Sequence, residues 1–221
     1  MSEPKARALY ARLRDDLIAG VYRPGERLSE LSVSAKYGVS RTPTREALAR
    51  LEHVGLLERT GSQLVVPAPT VEQVLDLFDA RMLLEAAIAR YAAERRREAD
   101  LLVLQAAADR AEALDPGASA PDHYLANRMF HHALSAAAHN HVLTDQQRQL
   151  DLRVAALGAT TLILPGRVQT ANAQHQAILA AVVGRDAALA SAAAETHLRD
   201  ARELWRELLR TDRVPSLRHL S

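Results

Sequence analysis

Apolar positions along this chain change rhythm once. Up to about residue 66 they recur in short helical blocks broken by glycine and proline, and from Thr70 onward they recur in long ones. Leu9, Leu13 and Leu17 share one side of a helix predicted over Lys5 to Ala19, which Gly20 ends. Pro24-Gly25 turns the chain. Ser29 then caps a short helix through Tyr37, with Leu31 and Ala35 expected to face inward. Gly38 supplies the backbone freedom to leave that helix. Thr42 reads as the N-cap of the next helix, with Pro43 at its first position, where a missing N–H costs nothing. Ala47, Leu48, Leu51 and Val54 form its buried stripe and Gly55 closes it. The following LLERTGSQLVVP reads as two short strands about a turn at Gly61, with Val65 and Val66 as β-formers. Three helices and a hairpin make a winged helix-turn-helix over residues 1–66.

Pro67 and Pro69 break the second strand, so residues 67–70 read as a linker, and Thr70 with Gln73 has the form of a capping box. Residues 71–221 then read as helical almost throughout. Helices are expected at about Val71 to Arg95, at about Glu98 to Leu114 with a stop at Pro116-Gly117, and from Pro121 to about His139. A fourth is expected over about Val142 to Leu164, bent at Gly158, followed by Arg167 to Val183 and a last helix capped by Asp186 and reaching about Arg210. Six helices with short connections predict an antiparallel bundle. The fold class is therefore mainly α: an N-terminal winged helix-turn-helix followed by an all-α antiparallel helical bundle.

The polar side of the helix after Gly38 carries Arg41, Thr44 and Arg45, all at its N-terminal end. In a helix-turn-helix that end of the second helix meets base edges, where Arg pairs with guanine and Thr with a base or phosphate. The net charge of the chain is only +1, with a small positive surplus in residues 1–66 and a small negative one beyond. That balance suits selective DNA reading better than indiscriminate coating of nucleic acid. There is no cysteine, which excludes disulfides, thiolate metal sites and cysteine nucleophiles. No apolar leader or bilayer-length apolar run is present, so a cytoplasmic protein without membrane attachment is expected.

Two constellations in the second region carry chemistry. His131, His175 and His197 fall on the third, fifth and sixth of its helices, with Asn127 one turn before His131 on the same face. Imidazoles from separate helices can converge on a divalent metal inside a bundle. Most histidines are instead surface or hydrogen-bonded core residues, and spacing leaves both readings open. Arg81 and Glu85 stand one turn apart. They read either as an exposed helical ion pair worth about 0.2–0.5 kcal/mol, or as an inward Arg81 that clamps a carboxylate with two parallel hydrogen bonds.

The motif SRTPTREAL, Ser40 to Leu48, resembles the reading head of the GntR superfamily of bacterial transcription regulators. RMLLE at Arg81 to Glu85, NRMFHHAL at Asn127 to Leu134, HQAILAAVVGRD at His175 to Asp186, and His197 are similar to its FadR-type branch with an FCD ligand domain. Six body helices match the shorter, VanR-like subgroup. The resemblance implies that Ser40, Arg41, Thr42, Thr44 and Arg45 touch DNA, with Gly61 at the wing tip. It places metal ligands at Asn127, His131, His175 and His197. Asn127 departs from the aspartate usual there and brings no negative charge, which lowers cation affinity. Three histidines suit a transition metal such as zinc or nickel. Arg81 with Glu85 would then hold an effector.

These features predict a non-enzymatic, DNA-binding transcription regulator, a repressor, controlled by a small organic acid in a metal-containing pocket. A homodimer with two equivalent heads would read double-stranded DNA carrying a short inverted repeat. A metal-responsive regulator and a DNA-binding protein with a metal-free ligand pocket are the alternatives.

Overall fold

The computed structural model describes residues 3–115, 117–158 and 160–210. The predicted stop at Pro116 and everything beyond Arg210 in the expected second region lie outside the described residues. By Cα proximity the chain groups into two compact units, one holding residues 3–70 with 149–158, the other 71–148 with 160–210.

The first unit contains α1 (Glu3–Ile18), β1 (Arg27–Leu28), α2 (Glu30–Tyr37), α3 (Arg41–His53), β2 (Glu58–Thr60) and β3 (Gln63–Val65). Leu9, Leu13 and Leu17 of α1 meet Ala47, Leu48 and Leu51 of α3 in one core. The sheet is antiparallel in the order β1-β3-β2. Thr60 pairs with Gln63, so Gly61-Ser62 is a two-residue hairpin loop, and Gly61 takes the positive φ of +62° that such a loop demands. Strand β1 was not foreseen, because two residues after a turn are too few to show alternation.

Two readings of this unit are corrected. On α2 the inward residues are Val33 and Tyr37, whereas Leu31 is 65% exposed and Ala35 is exposed too. Ser29 does cap α2, with Ser32 returning the bond in a capping box, which sets the phase of the helix. The Tyr37 hydroxyl then reaches Tyr22 and Asp16. The N-cap of α3 is Ser40 rather than Thr42, so Pro43 stands at the third helical position. Its missing N–H is tolerated there because none of the first four has an intrahelical acceptor.

The second unit holds six helices among the described residues: α4 (Val71–Arg95), α5 (Glu98–Glu112), α6 (Ala120–Ala137), α7 (His141–Ala155), α8 (Arg167–Val183) and α9 (Ala187–Arg210). Residues 149–155 of α7 group with the first unit. Helix α4 packs mainly on α9, α5 on α6, and α8 on α9. The core is rich in alanine, with Ala89, Ala92, Ala133, Ala137, Ala190 and Ala194 all buried, so helix axes can approach closely. Arg96 donates to the carbonyls of Val182 and Val183 and so satisfies the C-terminal end of α8. Asp186 accepts from Leu189 N at 2.9 Å and opens α9. The fourth body helix is shorter than expected. It ends at Ala155, because Gly158 at φ +66° stops it rather than bending it, and a single 3-10 turn, Thr161–Ile163, follows. No helix among the described residues is long and apolar enough to cross a membrane.

Leu51 is fully buried and Leu31 is not. Leu51→Ala is expected to cost about 2–5 kcal/mol, and Leu31→Ala less than about 0.5 kcal/mol, in urea unfolding followed by circular dichroism. A large loss from Leu31→Ala would put that side chain in the core after all.

Candidate functional site

In the first unit, Ser40, Arg41, Thr42 and Arg45 are exposed at the N-terminal end of α3, and Gly61 is exposed at the hairpin tip. Thr44 is not on that face. It is fully buried, its Oγ1 donating to Ser40 O at 2.9 Å and lying 3.0 Å from Ser34 Oγ. The stripe of α3 is wider than its apolar residues suggest, and Thr44 joins it because its hydroxyl finds two partners inside. Thr44 thus ties α3 to α2 instead of reaching bases.

Arg45 donates from Nε and NH2 to the two oxygens of Glu30, at 2.7 and 3.2 Å. That hydrogen bond is the main reason the Glu30 carboxyl is lowered below its ordinary value. Arg59 of β2 holds Glu52 in the same bidentate way, at 2.8 and 2.7 Å. Glu30, Arg45, Ala49, Arg59, Ser62 and Gln63 line a groove between α3 and the hairpin. Glu30 and Arg59 were not singled out from the sequence, since their partners are distant in the chain and carry no periodic signal.

In the second unit α6, α8 and α9 bring His131, His175 and His197 together. All three are buried, and each offers a nitrogen within 4.8 Å of those of the others. Ring centroids lie 5.1 Å apart for His131–His175, 5.2 Å for His131–His197 and 4.7 Å for His175–His197. Phe130 stacks on His175 at 4.1 Å. Asn127 is half-buried one turn before His131 on α6.

The Arg81–Glu85 pair is not a surface pair. Arg81 is 9% exposed and Glu85 1%, with NH2 to Oε1 at 2.8 Å. Glu85 Oε2 also lies 2.5 Å from His131 Nδ1. Burial would raise the Glu85 carboxyl, but His131 and Arg81 beside it outweigh burial and hold it below its ordinary value.

A second support was invisible in the sequence. Gln174 Oε1 accepts from Arg167 NH1 at 3.0 Å and lies 2.9 Å from His197 Nδ1, while its Nε2 donates to Asp200 at 2.6 Å. A guanidinium only donates and a carboxylate oxygen only accepts, so the amide can face only this way. His197 must therefore carry its proton on Nδ1, which leaves Nε2 as a lone pair, the arrangement typical of a metal-bound imidazole. Helical periodicity could not reveal this, because a Gln on a helix reads as surface.

The residues fit a metal. His175 is 1% exposed and both its ring nitrogens lack a hydrogen-bond partner. Burial, then His131 and Arg167, hold the His175 imidazole well below its ordinary value. Burial, then His175, His131 and the two arginines, do the same to His197. Buried imidazole nitrogens from three helices, two of them held neutral, are a donor set that suits a transition ion.

Both groups are neutral in the fold and bind protons in the unfolded chain. Stability of the metal-free protein is therefore full above about pH 6.5 and falls as pH drops below it, by about 1.4 kcal/mol per unit for each group. Thermal melts in chelator at pH 7.5 and 5.5 should show the loss, and His175→Phe should reduce it. A flat profile would show that these imidazoles are already hydrated or protonated.

Residues 5–65 match the model of the gntR family of bacterial regulatory proteins, and residues 76–200 match the FCD domain. The chain is 31% identical over 201 residues to the HTH-type transcriptional repressor GlaR of Escherichia coli, covering 86% of this chain and 90% of that protein. It is 30% identical over 227 residues to the Uxu operon transcriptional regulator of Escherichia coli, covering 92% and 88%. The solved structure of E. coli McbR/YncC superposes with a TM-score of 0.74 at 22% identity, covering 91% of this chain and 97% of that one. This chain belongs to the GntR family of bacterial transcription regulators and carries an FCD domain.

Proposed function

We propose that this regulator is a repressor whose operator binding is set by a small organic acid received at a metal-containing site in the helical bundle. The observation that carries the reading is the buried cluster of His131, His175 and His197, with both His175 nitrogens unpartnered. His131, His175 and His197 would hold a divalent ion such as zinc or nickel, with the Asn127 amide oxygen as a further donor. When bound, the ion supplies a Lewis-acid position for a carboxylate. The protein's own part is to exclude water with the apolar core, to hold His197 through Gln174, and to set Glu85 against His131 and Arg81.

On the DNA side, Ser40, Arg41, Thr42 and Arg45 would meet an operator half-site, with Gly61 approaching the backbone beside it. Thr44 would position α3 from within. A homodimer would present two such heads to a short inverted repeat in the cytoplasm. Control requires that the acid bind the DNA-competent and DNA-incompetent states with different affinity. GlaR, a relative, is itself named a repressor.

Two measurements test this. Purified untagged protein should carry about one tightly held transition ion per chain, and His131→Ala with His175→Ala should abolish it. Wild-type protein that stays metal-free after incubation with zinc and nickel would favour the metal-free pocket. Separately, Arg45→Ala should weaken operator binding by about 1–3 kcal/mol. Unchanged affinity would remove Arg45 from the reading set.

A further inference from the structure

The buried charges beside the histidines are met unequally. Arg81 and Glu85 answer one another, and Glu85 also faces His131. Arg167, the first residue of α8, is 5% exposed, yet among the described residues it forms no ion pair. Its NH1 donates to a neutral acceptor, Gln174 Oε1, at 3.0 Å, and its Nε is buried with no hydrogen-bond partner. Asp200 belongs to the same network and its charge acts on Arg167, but its contact is with Gln174 Nε2, so it makes no ion pair with the guanidinium and leaves Nε unmet.

A guanidinium keeps its proton at any ordinary pH, so it cannot relieve burial by becoming neutral as lysine or histidine does. A buried charge of this kind is costly until an anion meets it. Its position at the positive end of the α8 dipole sharpens the demand. Arg167 stands near enough to the histidines for its charge to help hold His175 and His197 below their ordinary values, and Gln174 Oε1 is shared by its NH1 and His197 Nδ1.

We propose that Arg167 is the anion-binding group of the histidine site, seating one carboxylate oxygen of a small organic acid on its Nε edge. Gln174 and Asp200 hold the guanidinium and the His197 ring together, so the acid arrives beside a prepared imidazole. The inference rests on the reading of this bundle as an acid-responsive domain and refines it. The carboxylate anchor moves from Arg81, whose charge Glu85 already meets, to Arg167. No metal is needed for this contact, which makes it separable from the metal reading.

The test uses the full chain in chelator, melted with increasing acetate or succinate at constant ionic strength set with sodium chloride. Either acid should raise the melting temperature of wild type by several degrees. Without acid, Arg167→Gln should melt above wild type, since a buried charge with no ion pair and an unpartnered Nε has been removed, and acid should then shift it hardly at all. Arg81→Gln should melt lower but keep the acid-dependent rise. Arg167→Lys retains the charge without the planar fork, and should need roughly tenfold more acid for half the shift.

Absence of any acid-dependent rise in wild type would overturn the proposal. So would a wild-type rise in Arg167→Gln, or an Arg167→Gln chain that melts lower than wild type without acid, since Arg167 would then be a strut. Zinc loading of the same samples separates the two readings. If wild type takes up no zinc while Arg167 still governs the acid response, the metal reading fails and this one stands. If wild type holds zinc and Arg167→Gln keeps the full acid response, this one fails and the metal reading stands.

Discussion

An imidazole sealed from water with neither ring nitrogen hydrogen-bonded is the constraint around which the bundle is arranged. Phe130 stacks flat on His175, and His131 and His197 crowd its other sides, so the ring cannot turn toward solvent. Its neighbours and its burial also resist protonation. Burial works against ionisation, and a buried nitrogen without a hydrogen bond is costly, so the ring favours a partner that enters the site. The alanine-rich packing of α4, α6, α8 and α9 makes this possible, because small side chains let helix backbones approach until three imidazoles share one space.

The other two rings are held from behind. His131 presents Nδ1 to Glu85, and His197 presents Nδ1 to Gln174. In each case the second nitrogen is the one left for the interior. One support is a carboxylate tied to Arg81 and the other an amide tied to Arg167 and Asp200. The two arginines therefore differ in kind. Arg81 is ion-paired directly, while Arg167 donates to a neutral oxygen and feels Asp200 only across Gln174.

Residues that announce themselves by spacing were legible in the sequence; those that act through distant partners were not. The ends of α8 and α9 followed from Pro165-Gly166, Gly184 and Asp186, and the histidines could be assigned to their helices before any contact was known. That they converge required the packing of α6 on its neighbours, which no single helix encodes. Thr44 was misplaced because polarity was taken as exposure, yet a threonine hydroxyl with Ser34 and Ser40 in reach is content inside. Leu31 was misplaced for the opposite reason, as an apolar residue that the phase set by the Ser29 cap turns outward. The family resemblance supplied the ligand positions, but Gln174, Asp200 and Arg167 emerged only from hydrogen-bond geometry.

Arginine–glutamate pairs occur in both units and do opposite things. Arg45 meets Glu30 with its side chain 71% exposed, so solvent and salt screen the pair and it adds little to stability. Leaving it for a nucleic-acid partner costs little, because water solvates both groups during the exchange. Arg81 meets Glu85 where the side chains are 11% and 1% exposed. Removing either partner there strands the other in a medium that cannot solvate it, at about 3–5 kcal/mol. The same two side chains thus make an exchangeable contact on the reading head and a fixed one in the bundle. Burial decides which, and Arg167, buried with Asp200 near it but no ion pair, stands between the two classes.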